Sequence, residues 1–297
     1  MHPEYDLSII TINYNGLKDT CELIETLPLD LMSLEVIVVD NASTNDEATI
    51  IEQRFPTIKV IRSNTNLGFA GGNNLGLQSS HGKNLFFINN DTIFKGSHDE
   101  VKEEIQNLIR FLNSSEKIGM VCPKIRFTWG NSPIQFAGYT TLSKITVRNK
   151  AIGCGEEDTG QYEKANPTPY AHGAAMMVKR EVIEKAGIMP ECYFLYYEEL
   201  DWSMMIRRAG YQIWYSPVCT IFHKESQATG QHSPLRTFYL TRNRLLFVRR
   251  NAKQPLRLIS YTYLIGIVAV KDMLKFSLQK RKDLAQATFK GVVHFFK

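Results

Sequence analysis

Three acidic residues, Glu198, Glu199 and Asp201, stand close together directly after an aromatic run over residues 193–197. Like charges at short distance raise the pKa of at least one carboxyl group, and burial raises it further. A carboxylate with a raised pKa can accept a proton from a hydroxyl group near neutral pH, so this segment is a candidate general base. The alternative is structural, because residues 202–209 read as a helix and acidic residues stabilise a helix N-terminus.

A second candidate group, Asn89, Asn90 and Asp91, follows the apolar run at residues 85–88. That run predicts a buried strand, and open α/β sheets bind ligands outside the carboxyl ends of their strands. Mg²⁺ typically takes one or two carboxylates and fills its other positions with water and phosphate oxygens. The group is therefore either a metal site for a diphosphate or a capped turn, since Asn and Asp are common turn residues.

The segment 64–74 is rich in glycine and asparagine and reads as a loop. Gly68, Gly71 and Gly72 allow positive φ angles and close backbone approach, which suits contact of N–H groups with a phosphate or a ribose. No Gly-Lys-Ser/Thr follows, and the first strand does not lead into GxGxxG, which argues against nucleoside-triphosphate hydrolysis and NAD binding. A glycine-rich turn without a ligand is the alternative.

Strands that alternate with helices predict a scaffold able to bring these groups together. The alternation indicates βαβ units and a mainly parallel sheet, and hence the α/β class. Helix starts are predicted at two capping-box pairs, Thr44 with Glu47 and Ser97 with Glu100. The predicted strands cover residues 7–12, 34–39, 58–61, 85–88, 118–122 and 213–215.

Two histidines are further candidates for the site. His172 opens a segment of small residues that predicts a tightly packed strand or turn beneath the site, and a lone histidine there is more often structural than catalytic. His223 follows an apolar run and is a candidate metal ligand or phosphate contact. Residues 123–170 read as loops and are either a mobile insertion or a segment that covers the substrate.

Composition is that of a soluble globular protein, with 43% hydrophobic and 22% charged residues among 297. The net charge of +5 does not indicate a nucleic-acid partner. Basic residues are concentrated between Arg236 and Lys297, where only Asp272 and Asp283 are acidic, so an anionic membrane surface is the first candidate partner there. Five scattered cysteines and the lack of a signal-peptide pattern predict reduced thiols in a cytoplasmic protein.

Over residues 7–250, the order and spacing of these motifs resemble family 2 of the inverting nucleotide-sugar glycosyltransferases. The match is closest to the rhamnosyltransferase-like branch that builds bacterial surface polysaccharides. The resemblance implies a GT-A fold, a divalent metal (Mg²⁺ or Mn²⁺), a nucleotide-diphospho-sugar donor and a glycan or polyprenyl-linked saccharide acceptor. The matching segments are residues 8–15, 38–43, 66–74, 89–92, 173–175 and 197–202, with His223, Arg242 and Asn243.

The resemblance also implies residue roles. Glu199 would deprotonate the acceptor hydroxyl of a hexosyl- or deoxyhexosyltransferase reaction, and Asp40 would contact the nucleobase. Asp91 and His223 would hold the metal; the first position of the family's DxD motif is Asn89 here, which leaves Asp91 as the main ligand. The implied donor site comprises Thr11, Asn13, Tyr14, Asp40, Asn66, Gly68, Gly72, Asn73, Asn89 and Asn90. The residues implied to contact the acceptor or support the site are His172, Gly173, Glu198, Asp201, Trp202, Arg242 and Asn243.

Two regions are predicted, a GT-A catalytic domain over residues 1–250 and a basic amphipathic helical tail over residues 251–297. The apolar run at 258–270 is shorter than the roughly 20 residues that a spanning helix needs. The tail therefore predicts a segment that rests on the inner face of the cytoplasmic membrane, or helices packed on the catalytic domain with basic solvated faces.

Two other functions are alternatives to sugar transfer. A sugar nucleotidyltransferase on a related scaffold needs a basic residue in a glycine-rich loop after the first strand, and residues 13–16 contain none. A non-catalytic nucleotide-sugar-binding protein is compatible with Asn89 in the DxD-like motif and with Glu199 where the family usually has aspartate.

Overall fold

A computed structural model describes residues 5–30, 33–225 and 233–297. The strands are β1 (Tyr5–Asn13), β2 (Leu34–Asp40), β3 (Lys59–Arg62), β4 (Gly82–Ile88), β5 (Thr92–Ile93), β6 (Ile118–Phe127), β7 (Ile134–Phe136), β8 (Asn166–Pro167), β9 (Ala175–Lys179) and β10 (Gln212–His223). The helices are α1 (Leu17–Glu25), α2 (Glu47–Arg54), α3 (Gly68–Gln78), α4 (His98–Asn113), α5 (Arg180–Ala186), α6 (Glu198–Arg208), α7 (Pro234–Asn251), α8 (Leu256–Tyr261), α9 (Val270–Leu278) and α10 (Lys282–Phe295).

One sheet organises the chain, in the order β3-β2-β1-β4-β9-β6-β10-β5. The first four strands of this order are mutually parallel, as is the pair β6–β10. Strand β9 runs antiparallel between β4 and β6, which makes the sheet mixed. The predicted α/β class is confirmed, and helices on both faces cover a core of strand residues that are almost fully buried.

The carboxyl ends of the parallel strands β1, β2, β3, β4, β6 and β10 lie on one edge of the sheet, as the βαβ pattern predicts. In the β1–β2 register Asn13 stands beside Asp40. Strand β4 ends at Ile88, just before Asn89. The short strand β5 then turns back and pairs antiparallel with the end of β10, which sets Thr92 opposite His223.

The predicted glycine-rich loop is wrong in its second half, because α3 begins at Gly68. Only Gly68 of the three glycines has a positive φ, at +72°. Gly72 and Gly76 are helical, and a Cβ on them would lie 2.8 Å from Ile12 Cδ1 and 2.5 Å from Ile10 Cγ2. Glycine is needed there because α3 packs closely on β1.

The two predicted capping boxes have different outcomes. The Ser97–Glu100 box is confirmed, with both reciprocal hydrogen bonds present at the start of α4. The Thr44–Glu47 box is wrong: Asp46 caps α2 by accepting a hydrogen bond from the N–H of Thr49. The carboxylate of Glu47 does not cap the helix and instead accepts a hydrogen bond from Asn13 Nδ2 at 2.8 Å.

The segment after β6 is tied to the sheet by a buried lysine. Lys124 Nζ lies 3.2 Å from Asp158 Oδ2 and also contacts the carboxylate of Glu163. Strands β7 and β8 pair with β6 and β10, so part of this segment extends the sheet.

The last helices form a second layer around α7. Helix α8 continues through a π-helix (Thr262–Ala269) into α9, and α10 returns to pack on α7. The buried carboxylate of Asp201 in α6 contacts Arg250 and accepts a hydrogen bond from Asn251 at 2.8 Å, which joins α6 to α7. Within the described part of the chain, no helix is long and apolar enough to cross a bilayer.

Candidate active site

The carboxyl ends of β1 and β2 are held together by one buried amide. Asn13 Nδ2 lies 2.9 Å from Asp40 Oδ1, 3.1 Å from Ser43 Oγ and 2.8 Å from Glu47 Oε2. Asn13 Oδ1 accepts a hydrogen bond from Thr20 at 2.7 Å. Asn13 is completely buried, so its side chain positions the Asp40 carboxylate and does not face a ligand.

The other residues of the first strand end differ in exposure. Thr11 is completely buried, and its hydroxyl has no hydrogen-bond partner among the described residues. Tyr14 is 49% exposed. Of the predicted donor contacts Thr11, Asn13 and Tyr14, only Tyr14, which directly follows β1, presents its side chain to solvent.

The glycine–asparagine segment is bound to β2 by its asparagines. Asn41 Nδ2 donates to Asn66 Oδ1 at 3.1 Å and to the carbonyl of Gly68 at 3.2 Å. Asn73, another predicted donor contact, is buried and donates to the carbonyl of Phe69. These contacts fix the start of α3 at the sheet edge.

The predicted metal group meets a histidine from the far end of the chain. Asp91 Oδ1 lies 3.1 Å from His223 Nε2, and His223 Nδ1 lies 2.8 Å from Gln135 Oε1. Asn90 Nδ2 donates to the hydroxyl of Thr20 at 3.0 Å, and the N–H of Asn89 donates to the carbonyl of Ala174. The two asparagines therefore brace the turn that carries Asp91.

The Asp91–His223 pair suits a small divalent cation. Gln135 Oε1 beside Nδ1 favours the His223 tautomer with the proton on Nδ1, which would leave the lone pair of Nε2 to share a cation with Asp91 Oδ1. Adjacent ligands on an octahedral ion with bonds of about 2.1 Å stand about 3 Å apart. The described residues contain no group of three or more His, Cys, Asp or Glu that could hold a metal, and Mg²⁺ commonly completes its shell with phosphate and water.

The two glutamates at the start of α6 have strongly perturbed acidities. Glu198 is almost completely buried, and Oε2 has no hydrogen-bond partner among the described residues. Burial, and secondarily the charge of Glu199, raises the pKa of Glu198 well above its ordinary value. Burial also raises the pKa of Glu199 to about 7, against the opposing effect of backbone N–H groups. Glu199 lies over Gly173, where a Cβ would be 3.8 Å from its Cγ.

The bend before α6 places these glutamates. Phe194, Tyr196 and Tyr197 all have positive φ angles, of 64°, 69° and 80°. The buried amide of Asn243 donates to the carbonyls of Tyr193, Leu195 and Tyr196 at 2.7–3.0 Å. Arg242 donates to the carbonyls of Cys192 and Tyr193.

Three other predicted residues have structural contacts. Asp201 accepts a hydrogen bond from the Tyr193 hydroxyl at 3.0 Å in addition to its contact with Arg250. Trp202 is completely buried, donates to the carbonyl of Gly187 and packs edge-on against Phe87. These contacts make Asp201 and Trp202 supports of the site.

His172 lies between the two groups of candidate residues. Burial lowers its pKa to about 3, so the ring is neutral, and Nδ1 accepts from the N–H of Ala174. Its ring stacks on Tyr139 and meets His223 edge-on, with centroids 6.4 Å apart. Through its ring, His172 thus contacts both Tyr139 and the His223 side of the Asp91–His223 pair.

Sequence reasoning missed Gln135 and Glu47 as parts of the site. Gln135 lies in β7, within a stretch that read as loop, and no local pattern marks it as a partner of His223. Glu47 read as a capping residue, although its carboxylate also accepts from the N–H of Gly16.

The mixed sheet, flanked by helices and polar at its carboxyl edge, has the GT-A architecture of glycosyltransferases. Residues 8–187 match the sequence profile of glycosyl transferase family 2. The chain therefore belongs to glycosyl transferase family 2, whose members are inverting enzymes that use nucleotide-sugar donors. The family resemblance predicted from the motifs is confirmed.

Two curated relatives illustrate the family. The low-salt glycan biosynthesis hexosyltransferase Agl10 of Haloferax volcanii is 25% identical over 295 residues, which covers 97% of this chain and 90% of that protein. The N-acetylglucosaminyl-diphospho-decaprenol L-rhamnosyltransferase of Mycobacterium tuberculosis is 22% identical over 214 residues, with 67% and 69% covered.

Solved structures support the fold. The mannosyltransferase PcManGT of Pyrobaculum calidifontis, in complex with GDP-Man and Mn²⁺, superposes with a TM-score of 0.59 at 14% identity and covers all of this chain and 88% of that one. S. aureus TarS 1–349 in complex with UDP gives a TM-score of 0.55 at 15% identity, with 98% and 92% covered. Neighbours with Mn²⁺ are consistent with a divalent metal as the cofactor class.

Asn243→Ala tests whether one amide holds the bend before α6. The change removes the donor of the Leu195 and Tyr196 carbonyls, while the Tyr193 carbonyl keeps Arg242. We therefore expect the free energy of unfolding to fall by about 2–3 kcal/mol. Backbone amides of residues 193–197 should also exchange hydrogen faster, since their strained φ angles lose support. Urea unfolding and hydrogen exchange measure the two effects.

The matched control is Asn107→Ala on α4, whose amide contacts only Arg110 at the surface. Unchanged protection of the bend in the Asn243 variant would show that other contacts maintain it.

Proposed function

We propose that Glu199 is the general base of the reaction and that Asp91 and His223 hold the metal on the donor diphosphate. The supporting observation is the short segment before β9, which connects both groups. Gly173 lies under Glu199, and the carbonyl of Ala174 accepts from the N–H of Asn89, two residues before Asp91. A base and a diphosphate site are thereby set at one sheet edge.

In this proposal the donor lies along the carboxyl ends of β1, β2 and β4. Asp40 contacts the nucleobase, and the exposed Tyr14 directly follows Asn13, the residue that stands beside Asp40 in the sheet. Asn89 and Asn90 orient the turn at the diphosphate. The predicted contacts Thr11, Asn13, Gly68, Gly72 and Asn73, which are buried, and Asn66, which is partly buried, shape the site from beneath.

Glu199 takes the proton of the acceptor hydroxyl, and the oxygen forms a bond to the anomeric carbon. The bond from that carbon to the diphosphate breaks on the opposite face, which inverts the configuration. A divalent metal held by Asp91 and His223 supplies charge neutralisation for the departing diphosphate. Burial, and secondarily the charge of Glu199, raises the pKa of Glu198, which favours the form of Glu198 that adds no negative charge beside Glu199.

We also infer a lipid-linked or glycan acceptor and a hexose or deoxyhexose as the transferred sugar. The names of both curated relatives support this, one being a glycan-biosynthesis hexosyltransferase and the other a rhamnosyltransferase named for a diphospho-decaprenol acceptor. A polyprenyl-linked acceptor favours a cytoplasmic location at the inner face of the membrane, in keeping with the excess of basic residues after Arg236.

Glu199→Gln and Glu198→Gln separate the two glutamates. Loss of a general base lowers the rate by about 10²–10⁴-fold, and we expect this for Glu199→Gln. Glu198→Gln should lose less than about tenfold, because an amide resembles the neutral acid that burial already enforces. The measurement is release of nucleoside diphosphate from a panel of nucleotide-sugars with Mg²⁺ or Mn²⁺ and a bacterial lipid extract as acceptor.

The exposed Glu184→Gln on α5 is the control for this pair. Equal losses of activity in both glutamate variants would contradict the assignment of Glu199 as the base. Binding of a nucleotide-sugar without turnover in the wild type would indicate a binding protein.

The pH dependence follows from the pKa of Glu199. The reactive form is the carboxylate, so a pKa raised to about 7 means that activity is full above pH 7 and falls as pH decreases through it. The fall should approach about tenfold per pH unit. The residual rate of Glu199→Gln should lack this break, and a wild-type rate that stays constant down to pH 5 would contradict the assignment.

Gln135→Leu tests the metal site through an outer contact. Without the acceptor at Nδ1, the ring of His223 loses its fixed tautomer and orientation, and we expect the affinity for Mn²⁺ to weaken by about tenfold or more. Electron paramagnetic resonance of free Mn²⁺, titrated with protein and a nucleoside diphosphate, measures this without turnover. Gln53→Leu on the surface of α2 is the control, and equal affinities in the two variants would remove Gln135 from the metal site.

A further inference from the structure

Exposed apolar side chains are concentrated at the C-terminal end of the chain. Nine of the eighteen large apolar side chains that are exposed in the described residues lie between Leu258 and Phe296. A short segment therefore carries half of them. Helix α10 buries part of its surface against α7, yet leaves Phe289, Val293 and Phe296 exposed.

One such surface lies along α9 and the end of the π-helix. Leu278 is 86% exposed, Leu274 61% and Ile267 57%. These side chains line one shallow apolar concavity together with two lysines. We call it the α9 face, and it consists of Ile267, Val270, Lys271, Leu274, Lys275 and Leu278.

The charge around the α9 face is predominantly positive. Lys271 and Lys275 lie on the face itself, and residues 280–282 add three more basic side chains in the turn to α10. The acidic residues of the region are Asp272 and Asp283, and Asp283 pairs with Arg281 at 2.7 Å. Basic side chains with apolar stems allow leucines to enter an apolar phase while the charges stay with anionic groups.

A second copy of the chain suits this face poorly. A twofold contact would set Lys271 and Lys275 against the same residues of the other copy, with no acidic partner on the face. An anionic lipid surface satisfies both features, because its acyl boundary takes the leucines and its headgroups take the lysines.

The α9 face is mechanically connected to the proposed base. Helix α10 follows α9 and packs closely on α7, where a Cβ on Gly291 would lie 2.9 Å from the carbonyl of Phe238. The same helix α7 carries Asn243, which holds the bend before Glu198. The contacts of α10 and α7 thus join the α9 face to the bend before the proposed base.

We propose that the α9 face docks the enzyme on an anionic lipid bilayer, with Ile267, Leu274 and Leu278 inserted at the acyl boundary and Lys271 and Lys275 at the headgroups. This surface goes beyond the proposed sugar transfer, and lipid binding does not require Glu199 or Asp91. Binding and turnover can accordingly be measured separately.

The test is flotation of the full-length chain with vesicles of phosphatidylcholine plus phosphatidylglycerol, compared with vesicles of phosphatidylcholine alone. We expect Leu274→Gln/Leu278→Gln to lower the partition coefficient by about tenfold or more. Lys271→Gln/Lys275→Gln should lower it by about fivefold per lysine on anionic vesicles only. Because all four side chains project outwards, thermal unfolding of both variants should match the wild type.

The matched controls are Ile50→Gln/Ile188→Gln, two exposed apolar residues elsewhere, and Lys117→Gln/Lys164→Gln. The proposal is overturned if the wild type does not float, if the control variants lose as much binding as the α9-face variants, or if the α9-face variants float like the wild type. It is also overturned if sedimentation shows a wild-type dimer that Leu274→Gln/Leu278→Gln dissociates without any lipid binding, since the face would then be a contact between copies. Nucleoside diphosphate release with a water-soluble acceptor should be the same in all these variants, and a loss there would concern the proposed transfer and not the docking.

Discussion

The position of the candidate base depends on a strained bend that the side chains of Asn243 and Arg242 hold. Three aromatic residues before α6 adopt positive φ angles, which cost of order 1–3 kcal/mol each unless the surroundings compensate. Asn243 compensates by donating to three carbonyls of the bend. The carbonyl of Phe194 also accepts from the N–H of Phe69, so the bend orients α3 and α6 together. The bend sets the start of α6 so that Glu199, in its first turn, lies over Gly173.

The parallel half of the sheet could be predicted because its signals are local. Each buried strand is a short apolar run, each ends in polar residues, and a βαβ connection leaves few ways to arrange them. The antiparallel insertion of β9 and the full length of β10 could not, because their pairing partners are distant in the chain. The prediction of a loop over the glycine-rich segment was wrong for a related reason. Glycine disfavours helix intrinsically, yet Gly72 and Gly76 let α3 approach β1, and that packing outweighs the propensity.

The same difference between local and long-range signals applies to the candidate site. Asp91 and Glu199 stand in recognisable sequence patterns, whereas the contact between Asp91 and His223 spans 132 residues and that between His223 and Gln135 spans 88. A sequence also does not distinguish an amide that faces a ligand from one inside a buried network. From the sequence, Asn13 is expected to face a ligand. In the structure it lies in a buried network, because Asp40 and Glu47 bring two carboxylates to its amide. Buried polar groups need such partners, and the network they form keeps the strand ends in register.

The acidity of Glu199 results from two opposing effects of the same location. The N-terminus of α6 favours the carboxylate, through its dipole and through nearby N–H groups. Removal from water disfavours the carboxylate and is the larger effect, which brings the pKa to about 7. Glu198 is less exposed and has an oxygen without a partner among the described residues. Burial, and secondarily the charge of Glu199, raises the pKa of Glu198 well above its ordinary value. The two adjacent glutamates thus differ in acidity through burial and mutual repulsion, and Glu199, with a pKa of about 7, is suited to exchange a proton near neutral pH.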